Sequence, residues 1–600
     1  MPDPVTSAVC SAPATVCEAF QRTVTIMDPA AVALRSSDGT LTVDWAAYGQ
    51  TVRRAAAGLA ASGIRRGDVV ALMAANRPEI SLCDMAALHL GATPFSVYRT
   101  LAVGQLAHVL GDADPRLVVC EARHLGVLAE AGVPSDRLVV LDEAPDGPLT
   151  WEGLLARGEA EFDFEGSWRA VGPDDVATLI YTSGTTGPSK GVTLTHRQIL
   201  AQVAATTAVW TIRGDDTSIS FLPTAHIADR VFCHYAPAVH GGEVVFVADM
   251  RQLPGVLREV RPTVLGAVPR VWEKIKAGVE QQVAADADPG RAAEITRAFD
   301  LARGMVAARL RGEQIPADLI VARWEAEARV LGPLRRMAGL GRVRLAMCGA
   351  APVDPGVLEW VMALGLEICE GWGMSEVAGM GLVNPPGRQR LGSVGQPIPG
   401  LEVRLADDGE LQVRGTVVTA GYRNLPEETA RAFTDDGWLN TGDIAQIDAD
   451  GYVRIVDRKK ELLINAAGKN LSPIAIELAV ATADPLIGPM VAIADGRPYT
   501  TALITLEPDA AARLAADLGL PDAHPATLAA DQRVRERVAD AVAEGNRRLS
   551  RVEQIKRHHL LDVYWSPGGE ELTPTLKTRR KAITAKYADQ IDALYAQVTE

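Results

Sequence analysis

The chain has 600 residues, 48% of them hydrophobic and 22% charged, with a formal net charge of −15. That length exceeds one ordinary core and sets an expectation of at least two globular domains, while the acidic balance disfavours a nucleic-acid partner, whose phosphates need cations. No apolar run reaches the ~18 residues of a membrane span, and seven cysteines without a CxxC spacing argue against a disulfide framework or a zinc site.

The opening stretch MPDPVTSAVCSAPATVCEAF lacks a basic segment followed by an apolar one. It reads as a short flexible tail rather than a signal peptide, so a soluble, cytoplasmic protein is expected. From about Ala30 to Val268 amphipathic helices alternate with short apolar runs. Tyr48, Val52, Ala55 and Leu59 fall at helical spacing, and the runs DVVALMA, RLVVC, RLVVL, EVVFVA and PTVLGAV begin at Asp68, Arg116, Arg137, Glu243 and Pro262. That rhythm predicts an α/β domain of mostly parallel sheets flanked by helices. Between Lys274 and Gly339 the pattern is helix alone, with Ile295, Phe299, Ala302, Val306 and Leu310 on one face, which reads as a helical insertion packed on the sheet domain. After Gly400, Asp408-Gly409 and Asp450-Gly451 each separate two alternating runs, predicting hairpins and a β-rich subdomain. A small, mobile α+β domain is expected from residue 457 to 600, with residues 1–456 forming the large N-terminal domain.

The stretch TLIYTSGTTGPSKGVTLTH, residues 178–196, carries the most chemistry. Gly184, Gly187 and Gly191 permit close backbone approach, Thr182, Ser183, Thr185 and Thr186 offer hydroxyls, and Lys190 adds a cation, a set suited to a polyphosphate. The order is not GxxxxGK[ST], which disfavours a P-loop NTPase. The loop resembles the signature of the adenylate-forming superfamily, which contains acyl-CoA synthetases, firefly luciferase and the adenylation domains of nonribosomal peptide synthetases. The resemblance extends from roughly Asp44 to Tyr587, with the motifs in family order.

What the resemblance implies is specific. In FLPTAHIADRVF, His226 takes the place of the residue bordering the carboxylate pocket, and AVPRVWEKI, residues 267–275, is similar to a segment of long-chain fatty acyl-CoA synthetases. The turn Gly349, Ala350, Ala351, Pro352 and the segment Gly371, Trp372, Gly373 would enclose the adenine, with Trp372 offering an apolar surface. Ser375 would contact the α-phosphate and Glu376 would hold Mg²⁺, a hard ion that suits a carboxylate. Asp443 would accept from the ribose hydroxyls beside Arg458, Lys460 would be the hinge, and Gly468 would line the coenzyme A tunnel. In EELTPTLKTRRKAITAKY, Lys577 matches the catalytic lysine, with Leu576 where the commoner motif has glycine. Its expected task is to neutralise two anions as they meet.

The implied reaction joins a carboxylic acid to AMP from Mg-ATP with loss of pyrophosphate, then passes the acyl group to coenzyme A; no protein nucleophile is needed. The expected partners are a small-molecule carboxylic acid, ATP and coenzyme A, with no nucleic acid and no transmembrane segment; a homodimer stays an open option. Long-chain fatty acid is the first expectation. An aryl or polycyclic acid, an acyl-AMP ligase loading a carrier protein, and a nucleotide-binding scaffold without turnover remain as alternatives.

Overall fold

The computed structural model describes residues 12–143, 147–158, 162–182, 188–286, 288–466, 469–573 and 576–596. Helix Trp45–Ala61 starts where the Asp44 carboxylate accepts from the Ala47 amide at 2.7 Å, and it buries Tyr48, Val52, Ala55 and Leu59. The apolar runs that follow become parallel strands. One sheet runs in the order Thr93–Ser96, Val69–Met73, Leu117–Cys120, Leu138–Val140, Leu149–Thr150, every neighbouring pair parallel. Their Val- and Leu-rich character follows from burial on both faces.

The hairpin β1 (Val176–Thr182) and β2 (Lys190–Thr195) is antiparallel, with Thr182 opposite Lys190. A second sheet sets Thr217–Ser220, Glu243–Phe246 and Val32–Ser36 parallel, and the short helix α1 (Ile227–Arg230) lies between the first two in sequence. Strand β3 (Val264–Ala267) leads into the helical segment: α2 (Pro269–Ala284), α3 (Pro289–Leu310), α4 (Ala317–Ala326) and α5 (Gly332–Met337). The helices begin five residues before Lys274 because Pro269 sits at the first helical position, where its missing N–H costs nothing. Ile295, Ala302 and Val306 are buried as expected, and Phe299 and Leu310 pack at the margin.

Strands β4 (Leu345–Gly349) and β5 (Ile368–Met374) extend β3 in parallel, β6 (Gly379–Val383) adds antiparallel, and the short strand Gln396–Pro397 forms the edge. The hairpins follow: Leu401–Leu405 with Glu410–Gly415, turning at Gly409 with φ +83°, then β7 (Leu439–Ile447) with β8 (Val453–Arg458), turning at Gly451 with φ +81°. Positive φ is free only to glycine, so Asp-Gly is the natural turn.

From Leu463 onward the chain builds its own core. Two hydrophobic clusters draw only on residues of this region, around the sheet Ile487–Ile493, Thr500–Leu506 and Ile555–Leu560. This separate C-terminal domain meets the large one through Arg270–Glu507 at 2.6 Å and Lys274–Asp509 at 2.8 Å. The six described cysteines are free and buried, and no helix among the described residues is long and apolar enough to cross a membrane.

Candidate active site

The carboxyl ends of parallel strands are where open α/β sheets bind ligands. Here Gly349 at the end of β4 faces Gly371 on β5. A Cβ on Gly349 would lie 2.7 Å from the Gly371 carbonyl oxygen, and one on Gly373 only 1.8 Å from that of Gly379. The strands approach so closely that neither position accepts a side chain. The turn then passes through Ala350 with φ +68°, a left-handed conformation that is strained for alanine, and leaves Ala350, Ala351 and Pro352 exposed.

Trp372 differs in placement from the surface expected for a base. It is buried in the core beneath the strands, and its indole N–H donates to the Asp443 carboxylate at 2.8 Å. A bulge between Trp372 and Gly373 re-aims the side chain. Asp443 on β7 is also the register partner of Arg458 on β8, whose Nε lies 2.9 Å away. Burial pushes the Asp443 carboxyl above the usual range, while Arg458, the Trp372 indole and Lys577 pull it back.

A second chain of contacts starts at Lys190, the first residue of β2. Lys190 pairs with Glu428 at 2.5 Å and lies 5.0 Å over the Tyr422 ring; the Tyr422 hydroxyl donates to Glu376 at 2.9 Å. Glu376 is buried just after β5, and burial raises its pKa against the opposing pull of Tyr422, Arg458 and Lys190. Ser375 is half-buried at the start of the same tight turn.

From the opposite side come His226 and Lys577. His226 caps α1, its Nδ1 accepting from the Ala228 amide at 3.2 Å. Burial and then the Lys577 charge depress its pKa to about 4, so the ring is neutral near pH 7. Lys577 stands in a cleft: solvent reaches it, yet protein surrounds it closely enough that desolvation, then Arg458, lowers its pKa, with Asp443, Glu376 and Glu461 opposing. It is presented by a turn in which the Thr573 amide donates to the Lys577 carbonyl at 2.8 Å and the Lys577 amide to the Thr573 hydroxyl at 3.0 Å. Leu576, in that turn, has φ +65°. The position therefore calls for glycine on backbone grounds, and this chain places leucine there.

Lys460 is exposed in the turn leaving β8. Its neighbours are fixed: Asp457 is buried against the Ser472 hydroxyl, and Lys459 bonds Asp408 at 2.5 Å and Glu410 at 2.7 Å. The fold thus brings His226, Glu376, Asp443, Arg458 and Lys577 into one cleft, with Lys190 at its edge. Ser183, Gly184, Thr185, Thr186, Gly187 and Gly468 lie outside the described residues.

Several groups were not singled out from sequence. Tyr422 bridges Lys190 to Glu376, and Glu428 pairs with Lys190. Glu370, next to Gly371, has a carboxylate oxygen with no partner among the described residues, and burial raises its pKa to about 8. Arg230 is buried against Asp84 at 2.6 Å, and the same carboxylate receives His234 at 2.9 Å. The spacing His226, Arg230, His234 was the available signal, since i, i+4, i+8 marks a polar stripe through an apolar helix.

A largely apolar cavity of about 40 Å³ lies toward the starting ends of β3 and β4, lined by Trp210, Phe232, Gly266, Leu345 and Met347, with Asp216 and Glu243 also in its wall. Strand alternation puts Leu345, Met347 and Gly349 on one face of β4, so the cavity begins ~7 Å along the strand from the exposed turn.

The chain was compared with known proteins. The AMP-binding enzyme family matches residues 21–423, and the AMP-binding enzyme C-terminal domain matches residues 460–599. A Mycobacterium tuberculosis protein provisionally named fatty-acid–CoA ligase fadD11 is 49% identical over 452 residues, 75% of this chain and 79% of that one. Long-chain-fatty-acid–CoA ligase FadD15 of Mycobacterium tuberculosis is 35% identical over 94% of each chain. In fold, the adenylation domain of a Mycobacterium chelonae carboxylate reductase superposes with TM-score 0.75 at 20% identity, covering 97% of this chain and 91% of that one. ATP-bound MatB from Rhodopseudomonas palustris gives 0.69 at 23% identity, covering 96% and 99%. With both domains matched in sequence and the α/β architecture matched in structure, the chain belongs to the AMP-binding enzyme family.

Proposed function

We propose that the protein is an AMP-forming acid–thiol ligase that activates a fatty acid, long-chain by first preference, as acyl-AMP and then transfers the acyl group to coenzyme A. The observation that carries the reading is the convergence of Lys577, from the C-terminal domain, and Arg458, at the domain junction, with Asp443, Glu376 and His226 of the large domain. In the first half-reaction an acid oxygen bonds the α-phosphorus as the bond to pyrophosphate breaks. In the second, the thiol sulfur bonds the acyl carbon, the thiol proton is lost to solvent, and AMP leaves. Two anions must meet in the first step, and the cation assigned to lie between them is Lys577, with His226 neutral beside it. Asp443, already fixed by Trp372 and Arg458, is preorganised to accept from ribose hydroxyls.

No group of three or more His, Cys, Asp or Glu able to cage a metal exists among the described residues. Glu376 fits Mg²⁺ as a lone carboxylate, because that ion keeps several waters and takes its other ligands from phosphates. Bound there, Mg²⁺ would neutralise charge on the triphosphate. Residues 1–456 serve as the adenylation domain and 457–600 as a lid turning at Lys460, so that the thiol replaces Lys577 in the second step.

The apolar cavity supports a hydrocarbon substrate. At about 40 Å³ it takes roughly three water-sized groups, each needing ~10–15 Å³ on this measure, so a long chain requires Trp210, Phe232 or Met347 to swing aside. The test is pyrophosphate exchange into ATP, and coenzyme A-dependent AMP release, over a panel of acids of rising chain length. Exchange with fatty acids and AMP release only with coenzyme A are expected; no exchange with any acid would overturn the reading.

A further inference from the structure

Helix α4 stands out because it buries none of its side chains, although it carries Leu319, Ile320, Val321 and Trp324. Trp324 is 74% exposed, Val321 58% and Ile320 41%. Of the ten tryptophans in the chain, Trp324 is the one that is exposed; the others are buried or half-buried. At ~100° per residue, Ala317, Ile320, Val321 and Trp324 share an arc of roughly a quarter of the helix circumference. Asp318 and Glu325 border one side of that arc, and Arg323, paired with Glu327 at 3.0 Å, borders the other. An apolar strip this open on a charged helix is unusual for a surface facing only water.

The surrounding charge narrows the occupant. The helical segment, residues 269–337, holds twelve lysines and arginines against ten carboxylates, a balance of +2 in a chain whose total is −15. Arg297, Arg336 and Arg342 are exposed and have no carboxylate partner among the described residues. A second copy of the chain meeting this segment by a two-fold axis would bring exposed, unpaired arginines of like charge toward one another, which electrostatics oppose. A polyanionic nucleic acid would be repelled by the rest of the surface and offers no apolar layer for the helix. An anionic bilayer satisfies both features: headgroup phosphates for the arginines, and an interfacial layer where tryptophan and aliphatic side chains are stable.

We propose that the exposed face of α4, with the arginines of the helical segment around it, docks the protein on an anionic lipid bilayer. The choice of a lipid surface gains from the fatty-acid reading, since long acids partition into membranes, but the surface observations and the binding test stand apart from catalysis. The docking is peripheral: α4 has ten residues, far too few to span. Electrostatic attraction of about 1 kcal/mol per basic residue near such a surface makes the binding salt-sensitive.

The experiment is co-sedimentation of the full-length protein with vesicles of phosphatidylcholine alone and of phosphatidylcholine mixed with phosphatidylglycerol. The protein should pellet with the mixed vesicles, release as salt rises, and stay in solution with phosphatidylcholine alone. Trp324→Ser should weaken binding about tenfold, which corresponds to about 1.4 kcal/mol. Arg336→Glu combined with Arg342→Glu should weaken it and flatten the salt dependence. A melting curve matching the parent, and unchanged pyrophosphate exchange on a short-chain acid without vesicles, separate lost docking from lost folding. Equal pelleting with both lipids, or a Trp324→Ser protein that pellets like the parent, overturns the proposal. So does sedimentation velocity showing that Trp324→Ser dissociates a dimer, which would make the face a self-association surface. If no acid supports exchange but the vesicle results hold, the ligase reading fails and the docking surface stands.

Discussion

Replacing Lys577 by alanine separates chemistry from folding. Desolvation and then the Arg458 guanidinium lower its pKa, against the pull of the Asp443, Glu376 and Glu461 carboxylates. The sign is informative: a lysine whose folded pKa is below its unfolded value is one whose charge the fold tolerates at a cost. Removing it should therefore leave stability unchanged or slightly raised, with a melting temperature no lower than the parent's. Catalysis should respond oppositely. Loss of one preorganised charge aimed at a developing anion costs roughly 3–4 kcal/mol, a factor of about 10²–10³, in the step that uses it. Pyrophosphate exchange should fall by that factor or more, while transfer to coenzyme A from supplied acyl-AMP should change little. Equal loss in the two half-reactions, or a clear fall in melting temperature, would refute the assignment.

Leu576 at φ +65° carries strain of about 1–2 kcal/mol, so Leu576→Gly relieves the turn against the ~1 kcal/mol of added unfolded-chain entropy. Leu576→Val should be the less stable and the slower in pyrophosphate exchange, an ordering that a Gly, Leu, Val series in thermal melts and exchange rates checks. Gly266→Leu projects into the apolar cavity, where a Cβ would meet only the Met347 methyl at 3.9 Å; the expected outcome is a loss of activity with long acids that spares short ones, read as the ratio of kcat/KM across chain length. His89 is fully buried, and burial depresses its pKa to about 4, below the usual 6.5. The unfolded chain then takes up the proton first on acidification, so stability from this group is present above pH 6.5 and falls by about 1.4 kcal/mol per pH unit toward pH 4, roughly 2 kcal/mol by pH 5. Because Asp229, raised to about 7 by burial, works in the other direction, the measurement is a difference: denaturant midpoints of parent and His89→Gln compared at pH 7 and pH 5, with the parent's margin shrinking in acid.

Much of this protein is local in origin. Alternation of Val- and Leu-rich runs with amphipathic helices, and Asp-Gly between alternating strands, specify the parallel sheets and the hairpins because buried strands and positive-φ turns each admit few residue types. The order of short motifs likewise marks the family, and the proposed nucleotide cleft rests on that order. Three-dimensional packing decided the rest. That Trp372 turns into the core to hold Asp443, that Tyr422 joins Lys190's surroundings to Glu376, and that Arg230 and His234 share one buried Asp84 are contacts between residues 46 to 150 positions apart. No pattern within a segment encodes such pairs. The pKa directions belong to the same class, because they are set by burial and by charges from distant segments. The open face of α4 is legible only when the neighbours that fail to cover it are known: its residues would suit a buried helix equally well, and exposure is a property of the packed molecule rather than of the ten residues themselves.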